Sequence, residues 1–347
     1  MNVLKATLRL VAAAALLAGC ADEPPAQPSA APVTSAAAAE PALAGAPTVP
    51  PAGKVVPFPG GPEGIVIGTS GIAAVAVRDP AAIALVDAST GAVRQSISTA
   101  GAARHLSLAG PDGPVLAPLE TSDELSELSL ADGSVVSTAK GVGRQPHDAV
   151  RTADGTIVVT SELGGGVVFV RDGAVIASLP AGPPQPGGAA AVGRYAAVAD
   201  VQGNGVWVYD GSSRQQVAHG PVGTKLTHAV ALSEDLAAFA DTDGNAVLIE
   251  RVTPQITEVA RVDAKGKPYG LAYDAGRRRL YVTLTATNQL QVIDIADAAR
   301  PRQLGVLPTM QQPNSVAVDP RSGAALVTGS TPRGTLQIVP ENLLPDP

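Results

Sequence analysis

Three short stretches of this chain of 347 residues stand out for the side chains they carry: ARHLSLAG from Ala103, QPHDAVRT from Gln145 and LTHAVALS from Leu226. They contain His105, His147 and His228, three of only four histidines. Each imidazole stands just before or at the start of an apolar, strand-like run. A neutral imidazole offers one lone pair to a cation or a proton, and several meeting at one point make a site for a borderline metal such as zinc, usually with a carboxylate or water completing four ligands. The same groups could serve as general bases or plug a channel with no ligand at all.

The scaffold that holds them is set by repetition. GPEGIVIG at Gly61, QPGGAAAV at Gln185, KPYGLAYD at Lys267 and QPNSVAVD at Gln312 resemble the three histidine segments, and the set recurs about every 40 to 45 residues, the period of a propeller blade. Within the third unit, HDAVRT, TIVVTS, GVVFVR and AVIASL read as four strands, the last two joined by Asp172-Gly173. Asp-Gly suits a two-residue hairpin because both central residues tolerate positive φ, and Asp132-Gly133 and Asp210-Gly211 are expected to repeat that turn. The composition agrees, being rich in Ala, Val and Gly with 3% aromatic residues and no long 3.6-residue periodicity. The expected fold is all-β, a seven-bladed β-propeller of four-stranded blades. Its last blade lacks an outer strand, and Gly53–Phe58, GKVVPF, is expected to supply it, since an open ring would leave a sheet edge unpaired.

In that architecture the first residues of each inner strand point at the axis. Reading this position around the ring gives Glu63, His105, His147, Gly187, His228, Tyr269 and Asn314. Pro62, Pro146, Pro186, Pro268 and Pro313 precede five of them and restrict the backbone there. The loops between second and third strands belong on the same face and bring Glu120, Glu162, Asp200, Asp241 and Asp243. The expected metal ligands are therefore His105, His147, His228 and Glu63. Glu120, Glu162, Asp241 and Asp148 are expected to orient the rings or to substitute as ligands. Zinc is the favoured ion, with calcium or magnesium as the alternative, and no catalytic residue is assigned. On this reading His147→Ala sharply weakens zinc binding and leaves thermal stability without metal nearly unchanged.

The sixth unit, LYVTLTATNQLQVIDI from Leu280, resembles the YVTN-type β-propeller repeat, although Leu284 stands where that repeat has asparagine. The resemblance implies kinship with bacterial lactonases, surface proteins and AztD-type zinc chaperones. It also implies a binding propeller that passes metal to a transporter or its binding protein. A lactonase- or lyase-like enzyme and a protein-interaction platform without metal remain the alternatives.

The N-terminus gives the compartment. A basic start with Lys5 and Arg9, an apolar run from Leu10 to Leu17 and the stretch LAGC ending at Cys20 resemble the lipobox of bacterial lipoproteins. Residues 1–19 are thus expected to be a signal peptide. Cys20, the only cysteine, is expected to carry a lipid that holds the protein at the extracytoplasmic face of the membrane. Residues 20–52, dominated by Ala and Pro, read as a disordered tether, and residues 53–347 as the propeller. A net charge of −7 lacks the basic footprint of a nucleic-acid binder, and a monomer is expected.

Overall fold

A computed structural model describes residues 40–346. The expected signal segment and Cys20 lie outside the described residues. The described chain is built from seven four-stranded antiparallel sheets. Blade 1 comprises β2 (Pro62–Ile67), β3 (Ile72–Val77), β4 (Ala82–Asp87) and β5 (Val93–Ser98). Blade 2 comprises β6 (Ser107–Leu108), β7 (Val115–Leu119), β8 (Glu124–Leu128) and β9 (Val135–Lys140). Blade 3 runs from β10 (Pro146–Arg151) through β11 (Ile157–Ser161) and β12 (Val167–Arg171) to β13 (Ala174–Leu179). Blades 4, 5 and 6 repeat the meander, with inner strands β14 (Pro186–Val192), β18 (Leu226–Ala231) and β22 (Pro268–Asp274). Blade 7 joins β26 (Pro313–Val318), β27 (Ala325–Gly329) and β28 (Thr335–Val339) to β1 (Lys54–Pro57). Lys54 stands opposite Ile338, and Pro57 opposite Thr335. Pro57 is tolerated because β1 is an outermost strand. Neighbouring inner strands touch all the way round, β2 meeting β26, and the result is a closed seven-bladed propeller.

The core lies between blades rather than within one. Strand β3 shows why: Ala73, Val75 and Val77 pack toward blade 7 with Leu326 and Leu336, while Ala74 and Ala76 pack toward blade 2 with Val115 and Leu128. Middle strands are covered on both faces, so they read as continuous apolar runs rather than alternating ones. Outer strands such as β5 and β13 are mostly exposed.

Two local expectations need correction. Asp172-Gly173 is the two-residue turn foreseen, with both residues at positive φ. Asp132-Gly133 and Asp210-Gly211 sit instead in longer connections, where the aspartate carboxylate accepts backbone N–H groups, Ser134 at 3.1 Å from Asp132 and Ser212 at 2.9 Å from Asp210. The side chain closes the turn there, so Asp need not adopt positive φ. Blade 2 also departs from the repeat. Its inner strand is reduced to Ser107–Leu108, which leaves Arg104 and His105 off the ladder.

Candidate metal centre

The six regular inner strands share a device at their first residues. The register slips between Pro62 and Ile65, Pro146 and Ala149, Pro186 and Ala189, Leu226 and His228, Pro268 and Leu271, and Pro313 and Val316. A bulge leaves its extra residue unpaired and re-aims its side chain, and each slip includes or ends on a ring position. The inner strands are also close. A Cβ at Gly64 would lie 2.7 Å from Arg104 O, and one at Gly188 2.7 Å from His228 Cα, so these glycines are needed for the approach.

Bulged strand starts at His147 and His228, and the irregular entry to blade 2 at His105, bring the three imidazoles together. His147 packs on His105 at 4.3 Å between centroids, His105 on His228 at 4.0 Å, and His228 edge-on to Tyr269 at 4.2 Å. His105 and His228 line a cavity of about 430 Å³ running along the inner strands, together with Asp148. The arrangement differs from three nitrogens converging on one ion. The rings pack at tilted angles, 57° between His105 and His147 and 33° between His105 and His228, and among the described residues the donor atoms that converge are those of Glu120, His147 and Glu162.

Among the described residues, two carboxylates meet at His147. Glu120 and Glu162 come just after β7 and β11, and their oxygens lie 3.2 and 3.3 Å from His147 Nδ1. One donor atom from each of the three falls within 4.8 Å of the others, and all three residues are buried. This buried Glu120–His147–Glu162 cluster could hold a metal ion. Burial alone would depress the His147 pKa, but Glu162 and Glu120 outweigh it and lift it to about 10. Glu120 is driven the other way, to about 2, because His147, Arg104 and Arg78 overcome its desolvation. His105 and His228 are pushed well below the ordinary value, first by burial and then by neighbouring imidazoles. One imidazolium therefore presents its Nδ1 to two carboxylates, with two neutral rings packed beside it at tilted angles.

The other anticipated residues stand apart from the trio. Glu63 accepts hydrogen bonds from Ser330 Oγ at 2.9 Å, from Arg78 at 3.3 Å and from Asn314 Nδ2. Asp241 accepts the backbone N–H groups of Thr224, Lys225 and Gly244 at 2.9–3.0 Å and so fixes its own loop. Asp148 bonds the N–H groups of Ala149 at 2.8 Å and Ala189 at 2.9 Å, leaving it 3.7 Å from His105 Nδ1. Burial raises its pKa to about 6.

Sequence reasoning missed Arg104, Arg78 and Glu40. Arg104 is buried, donates from Nε to Glu120 at 3.0 Å and forks onto both oxygens of Glu40 at 2.7 and 2.8 Å. Arg78 bridges Glu63 and Glu120, at 3.3 Å each. A signal for Arg104 did exist: it occupies the position that proline holds in five of the seven repeats. Glu40 carried none, since it lies in the stretch that reads as tether.

No family model matches the chain, and no curated protein matches it. Solved structures do. Kuenenia stuttgartiensis hydrazine synthase superposes with a TM-score of 0.69 at 16% identity, over 83% of this chain and 98% of that one. Virginiamycin B lyase from Staphylococcus aureus gives 0.65 at 13%, over 82% and 99%. The WD40 repeats of RRP9 give 0.71 at 12%, over 84% and 98%. The likeness is one of fold. Proteins with unrelated names share the architecture, so function has to be argued from the site.

Proposed function

We propose that this propeller is a binding protein for a divalent metal ion, held by Glu120, His147 and Glu162 at one end of its ring of inner strands. The observation that carries this is the convergence of one nitrogen and two carboxylate donors within 4.8 Å of one another in a buried site. One imidazole with two carboxylates suits zinc, which takes His and Glu ligands at about 2.0–2.2 Å and accepts a fourth ligand from water or substrate. Calcium and magnesium prefer oxygen alone. Occupancy requires His147 to give up its proton to bulk water.

The finer reading places the protein at the extracytoplasmic face of a bacterial membrane, tethered by lipid on Cys20 and delivering zinc to a transporter or its binding protein. The LAGC sequence supports the anchor, and the YVTN-like repeat supports the comparison with zinc chaperones. Metal analysis of protein purified without added metal, followed by zinc titration calorimetry, tests the site. About one zinc per chain supports it, and no heat of binding at any pH from 6 to 8 refutes it. For the anchor, a Cys20→Ser variant released as a normally processed soluble protein rules out lipidation.

A second reading, a lyase-like enzyme, is favoured by one observation. His105 and His228 are neutral at pH 7 and line the cavity of about 430 Å³, where either could take a proton from a bound substrate. Loss of turnover in His228→Asn with zinc affinity unchanged would support it over the carrier.

A further inference from the structure

Glu40 to Gly45 crosses the propeller without joining any strand, and side chains hold it there. Arg104 grips the Glu40 carboxylate with both terminal nitrogens. Gln312 uses both ends of its amide on the main chain, accepting Ala44 N–H at 2.8 Å and donating to Ala42 C=O at 2.7 Å. Gln311 donates to Ala44 C=O at 2.9 Å and Asn288 to Gly45 C=O at 2.8 Å. We propose that these residues form a binding site for an extended peptide bearing one acidic side chain, and that Glu40–Gly45 occupies it in cis.

The receptor side is built and the occupant is loosely seated. The Arg104 side chain is 2% exposed and that of Glu40 56%. A buried guanidinium whose Nε is committed to Glu120 still needs an acceptor for its terminal fork, and a carboxylate matches that geometry with two parallel bonds. Gln312 is buried at positive φ, and its N–H is fixed by Asn288 Oδ1 at 2.9 Å. The strap buries none of residues 40–45, and Leu43 is 91% exposed. Amide side chains that read only main-chain groups tolerate many sequences, while Arg104 demands an acid. A cavity of about 840 Å³ lies between the strap and Glu63, Arg78 and Pro332, giving room for the rest of a ligand.

A tethered strap competes at an effective concentration of about millimolar, so the test weakens it first. A fluorescent peptide of sequence AEPALAGA, residues 39–46, is titrated into the full-length chain and its Glu40→Lys variant, both treated with chelator so that the result is independent of metal binding. The variant should bind with a dissociation constant of about 10–100 μM, at least about tenfold tighter than the unaltered chain. Replacing the peptide's Glu by Gln should weaken binding to the variant at least tenfold, and adding Gln312→Ala should weaken it several-fold. No binding to Glu40→Lys at 2 mM peptide, with its circular dichroism unchanged, would overturn the proposal. So would equal binding of the Glu and Gln peptides, or displacement by succinate at concentrations equal to the peptide's, which would assign the site to small acids.

Discussion

Arg104 and His147 share one carboxylate oxygen. Oε1 of Glu120 accepts from Arg104 Nε at 3.0 Å and lies 3.2 Å from His147 Nδ1. Glu120 thus links the strap residue Glu40, through Arg104, to the candidate metal centre, through His147. Its low pKa comes from these cations, which outweigh the burial that would raise it. A metal ion held by Glu120, His147 and Glu162 would take over the part played by the His147 proton, so proton and metal would compete for the same carboxylates.

That competition sets a pH dependence. His147 is protonated below about 10, and a metal ligand must be deprotonated, so zinc binding should release about one proton per ion. The apparent affinity should rise about tenfold per pH unit between pH 6 and 8. Calorimetry in buffers of different ionisation enthalpy measures the proton count directly. An affinity independent of pH over this range would exclude His147 as a ligand.

Without metal, the same groups shape stability. The His147 pKa is raised from 6.5 to about 10, so its contribution is fully present below pH 6.5 and lost as pH rises through 10. The Glu120 pKa is depressed from 4.5 to about 2, so its contribution is present above pH 4.5 and lost as pH falls through 2. Urea midpoints of metal-free protein should therefore fall on the alkaline side from about pH 6.5 upward. His147→Gln should flatten that alkaline fall, and an unchanged slope in this variant would mean that other groups cause it.

The fold was legible because a propeller repeats its signals. Seven copies of one segment, prolines before five ring positions and Asp172-Gly173 at a hairpin each have a local cause in the chain. The gathering of His105, His147 and His228 was legible for the same reason, since equivalent repeat positions face one axis. Which acid meets which ring was not. Glu63 and Glu120 both lie near the axis, but Arg78, Asn314 and Ser330 draw Glu63 away, while Arg104 steers Glu120 onto His147. That partition depends on side chains from separate blades. The strap was illegible for a different reason: an Ala/Pro-rich stretch has no apolar pattern, and its contacts are made by Arg104 ahead of blade 2 and by Asn288, Gln311 and Gln312 of blades 6 and 7.

Glu162→Gln tests the second carboxylate of the trio. It keeps the shape of the side chain and its place beside Gln145 Nε2, 2.7 Å away, but removes one charge from the trio. Loss of a ligand should weaken zinc by at least about a hundredfold, more than loss of an outer hydrogen-bond partner costs. The His147 pKa should drop, because Glu162 is its largest upward influence, and an NMR titration of the imidazole reads this. Zinc affinity within threefold of the unaltered protein would remove Glu162 from the site.

His147→Ala is expected to cost stability as well as metal, contrary to what the sequence alone implied. Its removal leaves Glu120 and Glu162 buried without the cation between them, and breaking a buried pair by deleting one partner costs about 3–5 kcal/mol. Chemical denaturation of the metal-free variant measures the loss. Unchanged stability would mean that water or Arg104 compensates the carboxylates and that the imidazolium contributes little.

Ring closure gives the last test. Lys54–Pro57 covers the edge of Thr335–Val339, and Val56 packs on the cluster that joins blades 7 and 1 with Leu336 and Ile338. Deleting residues 53–58 bares that edge and opens the cluster to water. Because the blades bury their cores against one another, the damage should spread to both neighbours of the interface rather than stay in one strand. Hydrogen exchange should show protection lost in Thr335–Val339 and in β3 and β4, with blades 3 and 4 nearly unaffected. Unchanged protection in Thr335–Val339 would show that β1 contributes nothing to closing the ring.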